Sequence, residues 1–472
     1  MVFSSLTFLY LFLPLCFICY YIVQKTSSRN VILLVFSLVF YAWGEPKYIF
    51  LMIATAFVDY VFGLLIERFR DRWQSKLFLT LAAVITLSSL ALFKYSSFFS
   101  ENVNSLFSLN LPSLKLALPI GISFYTFQAL TYVIDVYRGS VKVQPSFYKL
   151  LLYVSMFPQL IAGPIVRYSD VEEQIEERTV TLKNISAGVM RFSAGLLKKA
   201  IIANFAGQLT EKLIGGDLTG LSSAGAWIGI IAFTFQIYFD FSGYSDMAIG
   251  LGKMLGFEFK ENFDYPYISK SATEFWRRWH ISLSTWFREY VYIPLGGNRK
   301  GKLRWYINIL IVWAATGLWH GASWNFVLWG LYYFVFLMLE KMYIGKILEK
   351  LPRAVGHIYS LIVIIIGWVF FYFDDLSKIK YFFKAAFGAA NGFVTLTEKT
   401  VIVNYAVLLI IGAVCAMPLL PRIKIFAGSL SKTRSGKVTV DVLSVLFVIF
   451  SLAISTASLV GNSYNPFLYF RF

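Results

Sequence analysis

The chain has 472 residues, of which 58% are hydrophobic and only 15% charged, a composition that excludes an ordinary soluble globule. Its formal net charge of +17 would suit a nucleic-acid binder, but the basic residues sit in short loops between apolar runs, where they orient helices and meet anionic headgroups. The expectation is an all-α polytopic integral membrane protein of roughly 10–12 spans, a single domain over residues 1–472 with the lipid bilayer as its solvent and no nucleic-acid partner.

The first apolar run, Phe3–Val23, has no basic residue before it and no small-residue cleavage site after it, so it reads as a retained span. Lys25 and Arg29 follow it, which by the positive-inside rule puts the N-terminus outside. Two further runs, Val31–Ala42 and Tyr48–Ile66, lead to Arg68, Arg70, Arg72 and Lys76, and the parity agrees. Asp59, inside the second of these runs, reads as a brace. A span at Leu77–Phe93 then reaches the loop around Glu101, and Pro119–Val136 returns to Arg138 and Lys142. Cys16, Cys19 and Cys415 all lie in apolar runs without paired spacing, so neither a disulfide framework nor a metal site is indicated.

Four segments carry polar groups that a mere anchor would not need. In Leu118–Gly139, Gln128, Tyr132 and Asp135 are spaced i, i+4, i+7 and share one helical face, either a helix-to-helix seam or a substrate-lining stripe. In PQLIAGPIVRY, Pro158–Tyr168, two prolines and a glycine interrupt an apolar run, which points to a re-entrant or kinked element. Phe235–Phe257 carries Gln236, Asp240, Tyr244 and Asp246 with Gly243, Gly250 and Gly252, glycines that allow close backbone approach. Its carboxylates need partners, and the arginines of the next segment are the expected ones.

That next segment, Asn262–Trp305, interleaves aromatics with Arg277, Arg278, His280 and Arg288, as an interfacial amphipathic helix would. Lipid contact does not explain His280, Ser282 and Ser284 beside them, nor the Pro294–Gly297 turn that leads to Asn298 and Arg299. Site chemistry is therefore expected at about residues 235–330.

WAATGLWHGASWNFVLWG, Trp313–Gly330, places His320 at the join of two apolar runs, in a chain with three histidines. An ionisable side chain at membrane depth is costly, so it is a functional-site candidate. Basic clusters flank the hairpin, Arg299, Lys300, Lys302 and Arg304 before it and Lys341, Lys346 and Lys350 after it, so both ends are expected to be cytoplasmic. The 16 residues from Arg304 to His320 span roughly 24 Å at ~1.5 Å per residue, most of a ~30 Å hydrocarbon core. A neutral imidazole there can deprotonate an attacking hydroxyl or carry an acyl group. The chain has no G-x-S-x-G, Walker loop or H-E-x-x-H, which disfavours a serine hydrolase, a nucleotide-driven pump and a zinc protease. His357, at the start of the run Ile358–Phe373, reads as a structural helix-end residue. After residue 374 the topology is open, because Lys378, Lys380 and Lys384 fall on the side that the parity assigns to the outside.

PIGISFYTFQ, PQLIAGPIVRY, YFDFSGYSDMAIGLGKMLGF, NFDYPYIS, EFWRRWHISLSTWFREYVYIPLGGNR, WHGASWNFVLWG, GWVFF and NPFLYFRF resemble, in order and over essentially the whole chain, the membrane-bound O-acyltransferase family, in its bacterial alginate O-acetyltransferase-like branch. The resemblance implies a helical bundle with re-entrant elements and a central tunnel or funnel, an essential histidine at His320 and a second polar position at His280. It further implies acyl transfer in a bacterial cytoplasmic membrane from a thioester, acetyl-CoA, to a hydroxyl, with no bound cofactor or metal. A polysaccharide and a separate extracytoplasmic acetyltransferase or esterase-like protein are the implied partners. Arg277, Arg278, Arg288 and Arg299 are the candidates for the donor's phosphates, and Gln128, Asp240, Tyr244, Ser284, Trp319 and Asn325 for the substrate path. The alternatives are D-alanyl or other acyl transfer from a carrier-protein thioester, and a non-enzymatic transporter or scaffold of a polysaccharide-export complex.

Overall fold

The computed structural model describes residues 1–468 apart from 115, 162, 389 and 463. Residues 469–472 of the NPFLYFRF motif and one residue of PQLIAGPIVRY therefore lie outside the described residues. Regular structure among the described residues is entirely helical. In chain order the α-helices are α1 (Leu13–Ile22), α2 (Thr26–Gly44), α3 (Ile49–Arg68), α4 (Trp73–Phe107), α5 (Ile122–Arg138), α6 (Phe147–Ser155), α7 (Phe157–Leu160) and α8 (Tyr168–Glu176). They continue as α9 (Leu182–Leu197), α10 (Asn204–Ile214), α11 (Ser223–Met254), α12 (Ala272–Arg278), α13 (Ile281–Phe287), α14 (Lys302–His320) and α15 (Trp324–Leu339). The remainder are α16 (Gly345–Leu348), α17 (Arg353–Tyr372), α18 (Leu376–Ala386), α19 (Leu396–Asn404), α20 (Ala406–Cys415), α21 (Leu419–Leu430) and α22 (Arg434–Gly461).

Among the described residues seven helices are long and apolar enough to cross a bilayer: α2, α3, α4, α11, α15 continued to Leu348, α17 and α22. The pair α19 and α20, bent by 51°, makes an eighth if it is one broken span. This multi-pass helical architecture is the one expected. The distance from 10–12 spans comes from helices short or polar for a span. Phe8–Ile22 is too short, α5 has 17 residues and carries Gln128 and Asp135, and α14 is diluted by its basic first turn, Asn308 and tryptophans. The stretch after residue 374, where charge parity fails, forms α18, whose 11 residues are too few to cross.

The chain packs as two compact units, Met1–Phe192 with Ser245–Lys260, and Ser193–Tyr244 with Glu261–Phe472. In the first unit α5 is buried on nearly every face, so Gln128, Tyr132 and Asp135 lie on a core helix, packed as a helix-to-helix seam would be. Tyr132 Oη accepts from the Gln144 amide at 3.0 Å. The expected interruption at Pro158–Tyr168 is a true break: α6 stops at Ser155, Met156 turns the chain with ψ 111°, and α7 lasts one turn. Pro158 in the first turn of α7 lacks an N–H that would go unused there anyway. Gly188 and Gly250 let backbones meet, since a Cβ on Gly250 would lie 2.7 Å from the Gly188 carbonyl. Asp59 is fully buried and accepts from Thr86 Oγ1 at 3.3 Å, a brace as expected.

In the second unit the buried charges are paired. Lys199 meets Asp240 at 2.7 Å with both side chains 3% exposed, and Lys199 Nζ also donates to the Pro466 carbonyl. The Leu468 amide donates to the other Asp240 oxygen at 2.9 Å, which ties the chain near its C-terminus to α11. The expected partner of this carboxylate was an arginine of the following segment, and the structure corrects that. Asp246 likewise pairs with Arg191, at 2.8 Å, within the first unit. Arg278 is engaged instead by Asp264 at 2.7 Å and Glu274 at 3.1 Å. Sequence spacing favoured neighbours in the chain, whereas Arg191 and Lys199 on and just after α9 are the cations the fold supplies.

Candidate active site

The site is built from α12 to α15 in the second unit. At the start of α12, Ser271 Oγ accepts from the Glu274 amide at 3.0 Å, an ordinary N-cap. A second carboxylate arrives from far along the chain: buried Glu340 accepts from the Ala272 amide at 2.6 Å, and from the Thr273 amide and hydroxyl at 2.8 and 2.6 Å. Charge-assisted bonds of this kind are stronger than neutral ones and fix where α12 begins. The apolar face of α12 buries Phe275, and Trp279 follows at its C-cap, stacked at 5.5 Å between centroids. Its aromatics thus pack inward, and the interfacial helix expected from composition is a wall of the protein core.

Trp279 is extended, which ends α12, and His280 then adopts φ 44°, ψ 54°, the left-handed region. For a residue with a Cβ this costs about 1–3 kcal/mol and persists only where the surroundings hold it. They do so through Asn262, fully buried, whose carbonyl accepts from the Ile281 amide at 3.0 Å. Asn262 Oδ1 accepts from Ser282 N at 3.2 Å and Ser282 Oγ at 2.8 Å, and lies 3.2 Å from His280 Nδ1.

His320 is the last residue of α14 and is 5% exposed. Its position depends on the crossing of α14 and α15 at Gly317 and Gly330, where a Cβ on either would come within 2.4 Å of a backbone carbonyl of the other helix. Small residues at a helix crossing let backbones touch where larger ones would hold them apart. The His320 ring packs edge-on against Trp319, Trp329 and Phe371, at 5.0, 5.0 and 5.2 Å. Trp319 lies 5.9 Å from the His280 ring as well, so one indole contacts both imidazoles. Burial, and then the neighbouring His320, push the His280 pKa well below its ordinary 6.5, so His280 is neutral at physiological pH.

A cavity of about 540 Å³ joins the two histidines. Its wall is largely aromatic and aliphatic, with Trp276, Trp313 and Leu337, is dotted with the hydroxyls of Thr273, Ser284, Thr285 and Thr316, and carries three exposed cations, Arg277, Arg288 and Lys341. The cavity is therefore lined both by exposed cations and by two buried imidazoles. Two of these elements are wound as π-helix, Arg288–Tyr292 after α13 and Glu340–Ile344 after α15, a form that often marks functional sites.

Of the residues expected from sequence, His320, His280, Arg277, Arg288 and Ser284 line this cavity. Ser284 Oγ donates to the Trp276 carbonyl at 3.2 Å. Trp319 touches both histidines from behind. The others are not among its lining residues. Arg278 is turned to its two acids, Arg299 is exposed beyond the Gly296–Gly297 turn, and Asn325 donates to the Phe370 carbonyl at 3.1 Å. Asp240 is committed to Lys199, Tyr244 packs on Phe467 at 4.9 Å, and Gln128 belongs to the core of the first unit. His357 Nδ1 lies 3.2 Å from the Ser269 carbonyl, the structural role expected. Sequence reasoning missed Asn262, Glu340 and Lys341. The usable signals were an asparagine opening the NFDYPYIS motif and a lone acid closing the apolar run Trp324–Leu339.

The profile of the MBOAT, membrane-bound O-acyltransferase family matches residues 74–382, a stretch that includes every cavity-lining residue. The chain is 38% identical to a probable alginate O-acetylase of Azotobacter vinelandii over 100% of both chains. It is 35% identical to a peptidoglycan O-acetyltransferase of Helicobacter pylori, over 82% of this chain and 80% of that protein. Similarity to a teichoic acid D-alanyltransferase of Bacillus subtilis is 29% over 46% of this chain and 58% of that protein. With a matching profile over most of its length and a full-length relative, the chain belongs to the membrane-bound O-acyltransferase family and is a multi-pass membrane O-acyltransferase.

Proposed function

We propose that this protein moves an acetyl group from acetyl-CoA, presented on the cytoplasmic side of a bacterial inner membrane, to a hydroxyl of a cell-surface polysaccharide or of an extracytoplasmic acetyltransferase-like partner. The observation that carries this reading is a cavity lined by three exposed cations and two buried imidazoles. A nucleotide thioester offers a partner for each: phosphates at one end, and a long uncharged arm that ends in the reactive carbonyl. Arg277, Arg288 and Lys341 would pair with the phosphates. The aromatic wall would exclude water from the thioester, which would otherwise hydrolyse.

In this mechanism His320 takes the proton of the acceptor hydroxyl as its oxygen attacks the thioester carbonyl. The new C–O bond forms, the C–S bond breaks, and the thiolate leaves with the proton returned from the imidazolium. His280 positions a reacting group beside it. Acetyl transfer is favoured over D-alanyl transfer by the full-length similarity to an alginate O-acetylase, against under half of the chain for the D-alanyltransferases.

The test is release of free CoA from acetyl-CoA by the purified, detergent-solubilised protein, with and without the candidate partner, comparing wild type with His320→Ala and His280→Ala. Turnover by wild type that His320→Ala abolishes while remaining folded supports the assignment. Equal inactivity of both in the presence of partner would sink it.

A further inference from the structure

We propose that Asn262 is a positioning residue that locks His280 in the tautomer with its proton on Nδ1, which leaves Nε2 as the hydrogen-bond acceptor of a ring that lines the cavity. His280 would then orient a hydroxyl, and would not act as a donor to the carbonyl oxygen of the thioester.

The Ser282 backbone N–H can only donate, and it points to the Asn262 side chain at 3.2 Å. The atom facing it must be the amide oxygen, which fixes the orientation of the Asn262 amide. That same oxygen takes the Ser282 hydroxyl at 2.8 Å and stands 3.2 Å from His280 Nδ1. An oxygen acceptor opposite a nitrogen lone pair would be repulsive in a buried place, so Nδ1 carries the proton. Ser282 Oγ, 3.4 Å from Nδ1, has its own proton directed at Asn262 and reinforces the arrangement. A neutral imidazole with Nδ1–H has its lone pair on Nε2, across the ring from Asn262.

Local backbone makes the lock rigid. The left-handed conformation of His280 brings residues 280, 281 and 282 in turn against Asn262, through a side chain, an amide, and an amide with a hydroxyl. Phe241, edge-on at 4.6 Å, and Trp319 restrain the ring itself. The consequence for the site rests on the acyl-transfer reading above: with His280 as an acceptor, the hydroxyl nucleophile is held from the His280 side of the cavity. Oxyanion stabilisation falls to other donors.

The chain has three histidines, so ¹⁵N-histidine NMR of the detergent-solubilised protein resolves each ring, with His320→Gln and His357→Gln variants supplying assignments. The expected result for wild type is a neutral His280 with Nδ1 protonated. An Nε2-protonated His280 would overturn the proposal, and this readout does not depend on any activity. Asn262→Leu, similar in size and without an acceptor, should move His280 toward the Nε2–H form and lower kcat by on the order of 10²-fold with little change in the donor KM. Asn262→Asp keeps an acceptor oxygen, so it should keep the tautomer, recover activity to within about tenfold of wild type, and move the acid limb of the pH profile upward as the carboxylate stabilises imidazolium. An unchanged tautomer in Asn262→Leu, or equal losses in the Leu and Asp variants, would also refute it. Absence of acetyl-CoA turnover in wild type would instead strike at the proposed function and leave the tautomer measurement standing.

Discussion

Gly330→Ala tests whether the α14–α15 crossing sets the position of His320. A Cβ on Gly330 would sit 2.4 Å from the Trp313 carbonyl oxygen, and real Cβ atoms essentially never come closer than 3.0 Å, so the two helices must separate by about 0.6 Å. The obstacle is backbone and cannot rotate away. Overpacking of this kind costs about 1–3 kcal/mol, against ~1 kcal/mol gained from the better helix propensity of alanine. The catalytic effect should exceed the effect on stability. His320 is three residues from Gly317, and Trp329, which packs on it, is next to Gly330, so parting the helices shifts the imidazole relative to its aromatic box. If a 1 Å displacement costs about 10²-fold, then 0.6 Å costs roughly tenfold. Initial rates of CoA release and thermal unfolding in detergent measure the two effects separately. Gly317→Ala should behave alike, since its Cβ would meet the Phe326 carbonyl at 2.4 Å, whereas Gly220→Ala has open space and should match wild type. A Gly330→Ala protein with wild-type rate and raised thermal stability would refute the reasoning.

Asp240→Asn leaves Lys199 buried without its counter-charge and should cost about 3–5 kcal/mol of stability. The double replacement Lys199→Met with Asp240→Leu should recover most of it, and thermal unfolding of the three variants checks the cycle. Arg277→Ala and Lys341→Ala should each raise the KM for acetyl-CoA by about tenfold, ~1.4 kcal/mol, with the effect shrinking at high salt. Turnover of S-acetylpantetheine, which has no phosphates, should not change, and an equal loss with both donors would mean the cations act on structure. His280 stays neutral in the folded state while its unfolded counterpart protonates below about pH 6.5, so acid favours the unfolded chain. The stability margin of wild type over His280→Gln should therefore narrow between about pH 7.5 and 5.5, and a margin that widens would contradict the burial argument.

Much of this was legible in one sequence because a bilayer imposes strong constraints. Backbone groups that cannot bond to water force helices, and the cost of an ionisable group at depth makes a lone histidine conspicuous. Composition therefore gave the class, the apolar runs gave most of the spans, and His320 and His280 stood out from residue chemistry alone. The broken run at Pro158 was equally readable, because proline and glycine act on the backbone locally.

Partner identity was another matter. The sequence could say that Asp240 and Asp246 need cations, but not that Lys199 and Arg191 supply them rather than the nearby arginines. Nor could it separate Arg277 and Arg288, which line the cavity, from Arg278 and Arg299, which do not. Residue type fixes what a group requires. Which group meets that requirement depends on contacts between segments far apart in the chain, as Glu340 shows in capping α12 from 68 residues away. The sequence by itself determined a membrane-embedded helical enzyme with two significant histidines. Only the tertiary structure decided that both face one cavity, which cations share it, and that Asn262 holds one imidazole in place.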